Sequence, residues 1–299
     1  MTSRVTIREH KIPTPDAKPY IAAEGPDGAL WFCESGAAKI GRFDPDIGTF
    51  TEFALPTANA TPIGIIAGAD GALWFSEKAA NKIGRITVRG EIAEFPLPTP
   101  GSPDGIMLGP DGAIWFSQTE ASRIGRIDAA GRITEFADGI TPGAKPLSIV
   151  VRDGALWFSE AAGNRVGRLT LDGKVTEFPI PSHDSQPRAM VTHPDGSIWF
   201  VETSTNALGR IDRAGRITEH PVPTPNASLR GVAVGPDGAL WYTANAANKI
   251  GRMAPDGTVI GEYDIPTPNS GARCIAALAD GRLFFTQYDA GMIGEVLVT

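Results

Sequence analysis

All six tryptophans of this chain sit in one recurring phrase: a hydrophobic residue, tryptophan, then an aromatic residue. They are Leu30-Trp31-Phe32, Leu73-Trp74-Phe75, Ile114-Trp115-Phe116, Leu156-Trp157-Phe158, Ile198-Trp199-Phe200 and Leu240-Trp241-Tyr242. Successive spacings are 43, 41, 42, 42 and 42 residues, and 43 residues further on stands Leu283-Phe284-Phe285. One unit of about 42 residues is therefore written seven times, a period that signals propeller blades or solenoid turns. Such units bury their apolar faces only against neighbours, so residues 1–299 are expected to fold as a single domain.

Within the second unit, Pro62-Ile63-Gly64-Ile65-Ile66-Ala67 and Ala72-Leu73-Trp74-Phe75-Ser76-Glu77 are β-rich runs separated by a turn cluster. Lys82-Ile83-Gly84-Arg85-Ile86-Thr87 and Glu91-Ile92-Ala93-Glu94-Phe95 follow in the same manner. Asp27-Gly28, Asp111-Gly112, Asp195-Gly196 and Asp237-Gly238 predict hairpins of type I′, in which both central residues take positive φ. The 35 glycines and 25 prolines suit a chain with several tight turns per unit, and no window carries a helical period. Four antiparallel strands per unit, repeated seven times around a channel, make an all-β, seven-bladed β-propeller.

The termini favour a closed ring over a solenoid. The opening segment 5–15, Val-Thr-Ile-Arg-Glu-His-Lys-Ile-Pro-Thr-Pro, matches the fourth strand of a unit, as in Ile133-Thr134-Glu135-Phe136. The seventh unit ends on its third strand, Ile293-Gly294-Glu295-Val296-Leu297-Val298. The N-terminal strand is thus predicted to close the last blade, leaving no unpaired sheet ends.

Bulk properties exclude some functions. A net charge of −7 with acids and bases interspersed argues against a nucleic-acid track. The N-terminus lacks the apolar region of a signal peptide, and no stretch reaches the ~18 apolar residues of a membrane span. The expectation is a soluble, cytoplasmic monomer with a small-molecule ligand and no membrane partner. Cys33 and Cys274 lie in the first and last units, neighbours in a closed ring; they are read as two reduced thiols, with a latching disulfide as the alternative.

Two positions of the repeat are expected around the upper mouth of the channel. The first, just after the start of strand one, reads Tyr20, Ile63, Asp104, Leu147, Arg188, Arg230 and Arg273. Three converging guanidiniums repel one another unless something anionic lies between them. They form either an oxyanion clamp or ion pairs with carboxylates such as Glu202 or Asp104. The second position reads Glu34, Glu77, Gln118, Glu160, Glu202, Ala244 and Gln287, and its four glutamates look structural. The repeated Ile-Gly-Arg, with Arg42, Arg85, Arg126, Arg168, Arg210 and Arg252, points to blade-to-blade packing and ion pairing. Of the four histidines, His10 and His220 fall on outer strands, His193 in a bottom turn, and only His183 in an upper connection. Tyr20, Tyr288, Asp104 and His183 are the proton-transfer groups near that face. No zinc spacing, Ser-His-Asp arrangement or phosphate-binding loop occurs.

Units of the form Gly-Ala-Leu-Trp-Phe-Ser-Glu, then Asn-Lys-Ile-Gly-Arg-Ile-Thr, then Thr-Glu-Phe-Pro-Ile-Pro resemble the streptogramin lyases, the virginiamycin B lyase family, over residues 5–299. The resemblance implies a propeller that opens a cyclic depsipeptide by C–O elimination, a base removing an α-proton and a carboxylate leaving. It also implies a magnesium ion held by glutamates near the mouth, polarising the substrate. The family's catalytic histidine, in a Pro-His-Gly-Ile phrase, matches Arg273 in Ala272-Arg273-Cys274-Ile275, and a second histidine matches Arg230. The metal glutamates match Gly271 and either Gln287 or Tyr288, so the magnesium ligands are not retained: no metal-ligating residue is assigned, and magnesium is implied by the resemblance alone. Arginine stays protonated and cannot serve as the same base.

Arg273, Arg230, Tyr288 and His183 are the candidate catalytic residues. Tyr20, Asp104, Arg188, Arg230, Arg273 and Gln287 are the candidate ligand contacts. The leading reading is a lyase-like propeller binding a small anionic or peptidic ligand at its upper mouth, with C–O lyase activity from a changed site. The alternatives are a non-enzymatic binding or scaffold propeller, either an inactive homologue or a regularised design, and a lactonase-type calcium hydrolase. The last needs a channel rich in carboxylates and asparagines, which the mouth positions do not supply.

Overall fold

The computed structural model describes residues 4–298. They form seven four-stranded antiparallel sheets and no helix, so none is present that could cross a membrane. Six sheets run in chain order from an inner to an outer strand, beginning with Pro19–Glu24, Leu30–Glu34, Lys39–Asp44 and Thr49–Ala54 in blade one. The seventh is composite: Ala272–Ala277, Leu283–Gln287 and Met292–Val298 are completed by Val5–Lys11. The register runs from Val5 opposite Val298 to Lys11 opposite Met292, closing the ring as expected. The closing strand stops at Lys11 rather than at 15, and Ile12 turns inward to lie buried. Inner strands of adjacent blades touch all round the channel, Pro19–Glu24 against Ala272–Ala277 included.

The repeated phrase is explained by one cross-strand pattern. In blade one Trp31 lies opposite Arg42, and Phe32 opposite Gly41. A Cβ at Gly41 would stand 2.2 Å from Phe32, so the glycine exists to let the ring lie flat across the neighbouring strand. Burying such a phenylalanine contributes about 1.5–3 kcal/mol. Trp31 stacks on Phe53 of the outer strand at 5.5 Å, and its Nε1–H donates to Asp27 at 2.9 Å. Arg42 donates to the same Asp27 at 2.7 Å. The equivalent ion pair recurs in Arg85–Asp70, Arg126–Asp111, Arg210–Asp195 and Arg252–Asp237. Five of the six arginines therefore tie a blade's own hairpin to the strand beyond its tryptophan, within the blade rather than between blades, while Arg168 only lies over Trp157 at 5.9 Å.

That hairpin differs from expectation. Gly28, Gly112, Gly196 and Gly238 take positive φ, but the aspartates before them do not. Gly28 N–H donates to Gly25 O, giving an ordinary turn ended by a left-handed glycine, and this frees the aspartate side chain to cap tryptophan and arginine. Only Asp153-Gly154, in a shorter hairpin, has both residues at positive φ.

The outer strands join blade to blade. Glu52, Glu94, Glu177 and Glu9 accept hydrogen bonds from the backbone N–H of Thr14, Thr57, Thr141 and Thr267, which explains the repeated Thr-Glu-Phe and Pro-Thr-Pro. Glu52, Glu94 and Glu177 also face a buried carboxyl of strand two. Burial, then the charge of Glu52, pushes Glu34 up to about 8; burial and Glu94 push Glu77 up to about 7. Glu160, beside Glu177, rises to about 8 in the same manner. Blade three replaces this carboxyl with Gln118, whose Nε2 donates to Glu135 at 2.9 Å. Blade six has Ala244 there, and the Tyr242 hydroxyl donates to Glu262 at 2.9 Å instead. That is the physical reason for its Trp-Tyr.

Because the folded chain holds the Glu34, Glu77 and Glu160 protons more tightly than the unfolded chain, each contributes stability that is complete below about pH 4.5. That stability falls away as pH rises toward about 8. Glu160→Gln, copying blade three, is expected to raise Tm near pH 8.5 by about 2–4 °C, the shift about 1 kcal/mol produces in a large domain, with little change near pH 5. Thermal melts across pH check this, and equal shifts at both pH values would refute it.

Candidate functional site

Every inner strand carries one extra residue. In blade one Pro19 pairs with Glu34 and Ala22 with Phe32, leaving Tyr20 and Ile21 opposite Cys33 alone. The same bulge follows Pro62, Pro103, Pro146, Pro187, Leu229 and Ala272. A bulge bends its strand and re-aims a side chain, and here it sets the residue after the strand start at the channel mouth. Hydroxyls on strand two hold the bulges in place. Ser76 accepts from Gly64 N–H at 2.9 Å and donates to Asp104 O of the next blade at 2.6 Å. Ser117 links Gly105 to Leu147, Thr243 links Gly231 to Arg273, and Thr286 links Cys274 to Tyr20 across the closing seam. The relay is incomplete in the other three blades: Cys33 offers a thiol to Gly64 O at 3.6 Å, Ser159 accepts from Ser148 N–H at 3.1 Å, and Val201 has no hydroxyl.

The mouth opens into a cavity of about 310 Å³ lined by Tyr20, Asp104, Leu147, Arg188, Arg230 and Arg273, with an apolar tier below. Ile65, Ile106, Ile149, Met190, Val232 and Ile275 form that tier. The structure thus brings three arginines of consecutive blades onto one wall. Their Nε atoms are buried without hydrogen-bond partners. The carboxylates proposed as their partners are taken: Asp104 by Lys78 at 2.7 Å, and Glu202, fully buried, by Thr205 at 2.6 Å. Burial, then the charges of Arg188 and Arg273, pull Arg230 below the usual arginine range. Arg273 lies 3.9 Å over the Tyr288 ring and 4.8 Å over the Tyr20 ring, the two rings meeting edge to face at 5.9 Å. Burial works against the Lys78 ammonium, but Asp104 outweighs it and holds the pKa above its ordinary value.

The implied magnesium does not fit these walls. Asp104 is the sole carboxylate among the lining residues, and no group of three or more His, Cys, Asp or Glu able to hold a metal occurs among the described residues. Gly271 offers no side chain. No chemical step below runs through a metal ion.

Two expectations need correction. His183 is exposed on its loop and does not line the cavity. Gln287, like Glu34, Glu77, Gln118, Glu160 and Glu202, is wholly buried inside its blade and is not on the cavity wall. The second ring was placed one residue too early. Side chains alternate along a strand, so the residue after each of these faces the mouth region instead. It is Lys78 on the cavity wall in blade two, Tyr288 against Arg273 in blade seven, and Thr119, Thr203 and Asn245 donating to the next blade's inner strand. Lys78 was missed for that reason, although its departure from Ser35 and Thr119 at the same repeat position was visible. Ile63 is also absent from the wall. Cys33 and Cys274 are free thiols; Cys274 touches the cavity, and burial pushes it up to about 11, so it stays protonated at neutral pH.

With this geometry in hand, similarity to known proteins is informative. The sequence profile of the virginiamycin B lyase family matches residues 1–152 and 102–299. A streptogramin B lyase structure superposes with a TM-score of 0.94 at 36% identity, covering 99% of this chain and 98% of that one. A catalytically inactive histidine-to-alanine variant of virginiamycin B lyase from Staphylococcus aureus, with quinupristin, gives 0.93 at 37% identity, covering 99% and 100%. Virginiamycin B lyase of Streptomyces coelicolor (strain ATCC BAA-471 / A3(2) / M145) is 48% identical over 46 residues, a segment spanning 15% of each chain. Ring, blade count and sequence agree along the full length: this chain belongs to the virginiamycin B lyase family.

Proposed function

We propose that this protein is a virginiamycin B lyase-like propeller that binds a small anionic or peptidic ligand at the upper mouth of its channel, through Arg188, Arg230 and Arg273. The observation that carries this reading is three partly buried guanidiniums on one cavity wall, their Nε atoms without hydrogen-bond partners and none of the three in an ion pair among the described residues. Burying a cation without a counter-charge is costly, and an arriving anion relieves that cost. Tyr20 and Tyr288 hold Arg273 in place.

Any elimination at this site runs on a changed set of groups. The Staphylococcus aureus relative is inactive when one histidine becomes alanine, and this cavity has no histidine among its lining residues. Asp104 is the lining carboxylate that can take a proton, with the arginines opposite able to steady a departing carboxylate. Lys78 holds Asp104 in an ion pair at 2.7 Å, so that carboxylate is already engaged, which favours binding over the family's reaction.

Replacing Arg188, Arg230 and Arg273 together by alanine is expected to abolish anion-dependent thermal stabilisation. Stabilisation that survives the triple change would leave the scaffold reading. Incubation with quinupristin, with and without magnesium, is expected to leave the macrocycle closed by mass spectrometry. A ring-opened product would overturn the changed-site reading.

A further inference from the structure

Resting on the anion site proposed above, we infer that the ligand is a small phosphomonoester with an uncharged apolar body. Its headgroup meets Arg188, Arg230 and Arg273, and its body lies against Leu147 and the apolar tier beneath. Most partly buried cations elsewhere are answered by a carboxylate, as Lys39 is by Glu52, Lys82 by Glu94 and Arg123 by Glu135. The three mouth arginines are not, in a chain whose net charge is −7. A carboxylate brings one charge and two oxygens to them. A phosphomonoester brings nearly two charges at neutral pH and three terminal oxygens, enough to give each guanidinium an acceptor. Stacking on Tyr288 and Tyr20 fixes the plane of Arg273 while leaving its N–H edge free for such an oxygen.

The walls beside the arginines and across from them set the rest of the ligand. Leu147 and Ile149 of blade four offer no charge, and Lys78 is already held by Asp104. A second anionic group at the far end would find no free cation there, which separates a phosphomonoester from a dicarboxylate of similar total charge. The cavity, at about 310 Å³, lies at the small end of small-molecule sites, so the body is compact.

Calorimetric titration of the full chain with phenyl phosphate, inorganic phosphate, benzoate and succinate tests this. Phenyl phosphate is expected to bind at least about tenfold more tightly than each of the others, a gap of about 1.4 kcal/mol. Leu147→Ser is expected to narrow the gap between phenyl and inorganic phosphate to less than about threefold while leaving inorganic phosphate binding in place. Inorganic phosphate binding as tightly as phenyl phosphate would overturn the apolar body. Benzoate or succinate doing so would overturn the phosphoryl head. If none of the four binds, the anion site itself fails, a result distinct from either. The wild-type comparison stands alone should the Leu147 variant fold poorly.

Discussion

The extra residue in each inner strand governs the working end of this molecule. A regular strand would alternate its side chains between the two faces of the blade, and no residue would be pushed into the mouth at a fixed height. The bulge breaks that alternation once per blade, at the same place seven times. In four blades a neighbouring blade steadies the bulge, because the hydroxyl that accepts the bulge amide donates onward to the next bulge carbonyl. Mouth geometry is therefore a property of the ring and not of any single sheet. Changing one blade's hydroxyl disturbs two mouth residues.

The blade's other recurring residues form a separate layer of specification. Phenylalanine requires the opposing glycine, and in four blades the turn aspartate accepts from both the tryptophan and the arginine beyond. Where one member changes, a second change answers it: Ala244 comes with Tyr242, and Gln118 supplies the proton that glutamate would otherwise have to keep. In blades three and six these paired departures give the outer-strand glutamate a donor from within its own blade.

This division explains how far the sequence could be read. Blade number, strand order and ring closure follow from the tryptophan spacing and from the kinship of segment 5–15 with an outer strand, since each blade repeats one burial pattern. The convergence of Arg188, Arg230 and Arg273 was legible for the same reason, each standing one residue past the start of its strand. The second ring was not. Glu34 and Gln287 sit at the end of a fully buried strand in which every residue is inside, so no hydrophobic alternation marks which face a side chain takes. Lys78 lay one position away and went unnoticed. The turn type was misjudged because Asp-Gly serves two hairpin geometries, and the choice depends on whether tryptophan and arginine claim the aspartate.

The composite last blade has a consequence for occupancy. Arg273 stands on that blade, Arg230 on the one before, and Tyr20 on the blade just across the seam, where Thr286 also reaches over to the Tyr20 carbonyl. Anything gripping Arg230 and Arg273 while resting on Tyr20 spans the junction at which the circle is sewn shut by Val5–Lys11. A guest would then act as a rivet, its binding energy added to whatever keeps the first and last segments together.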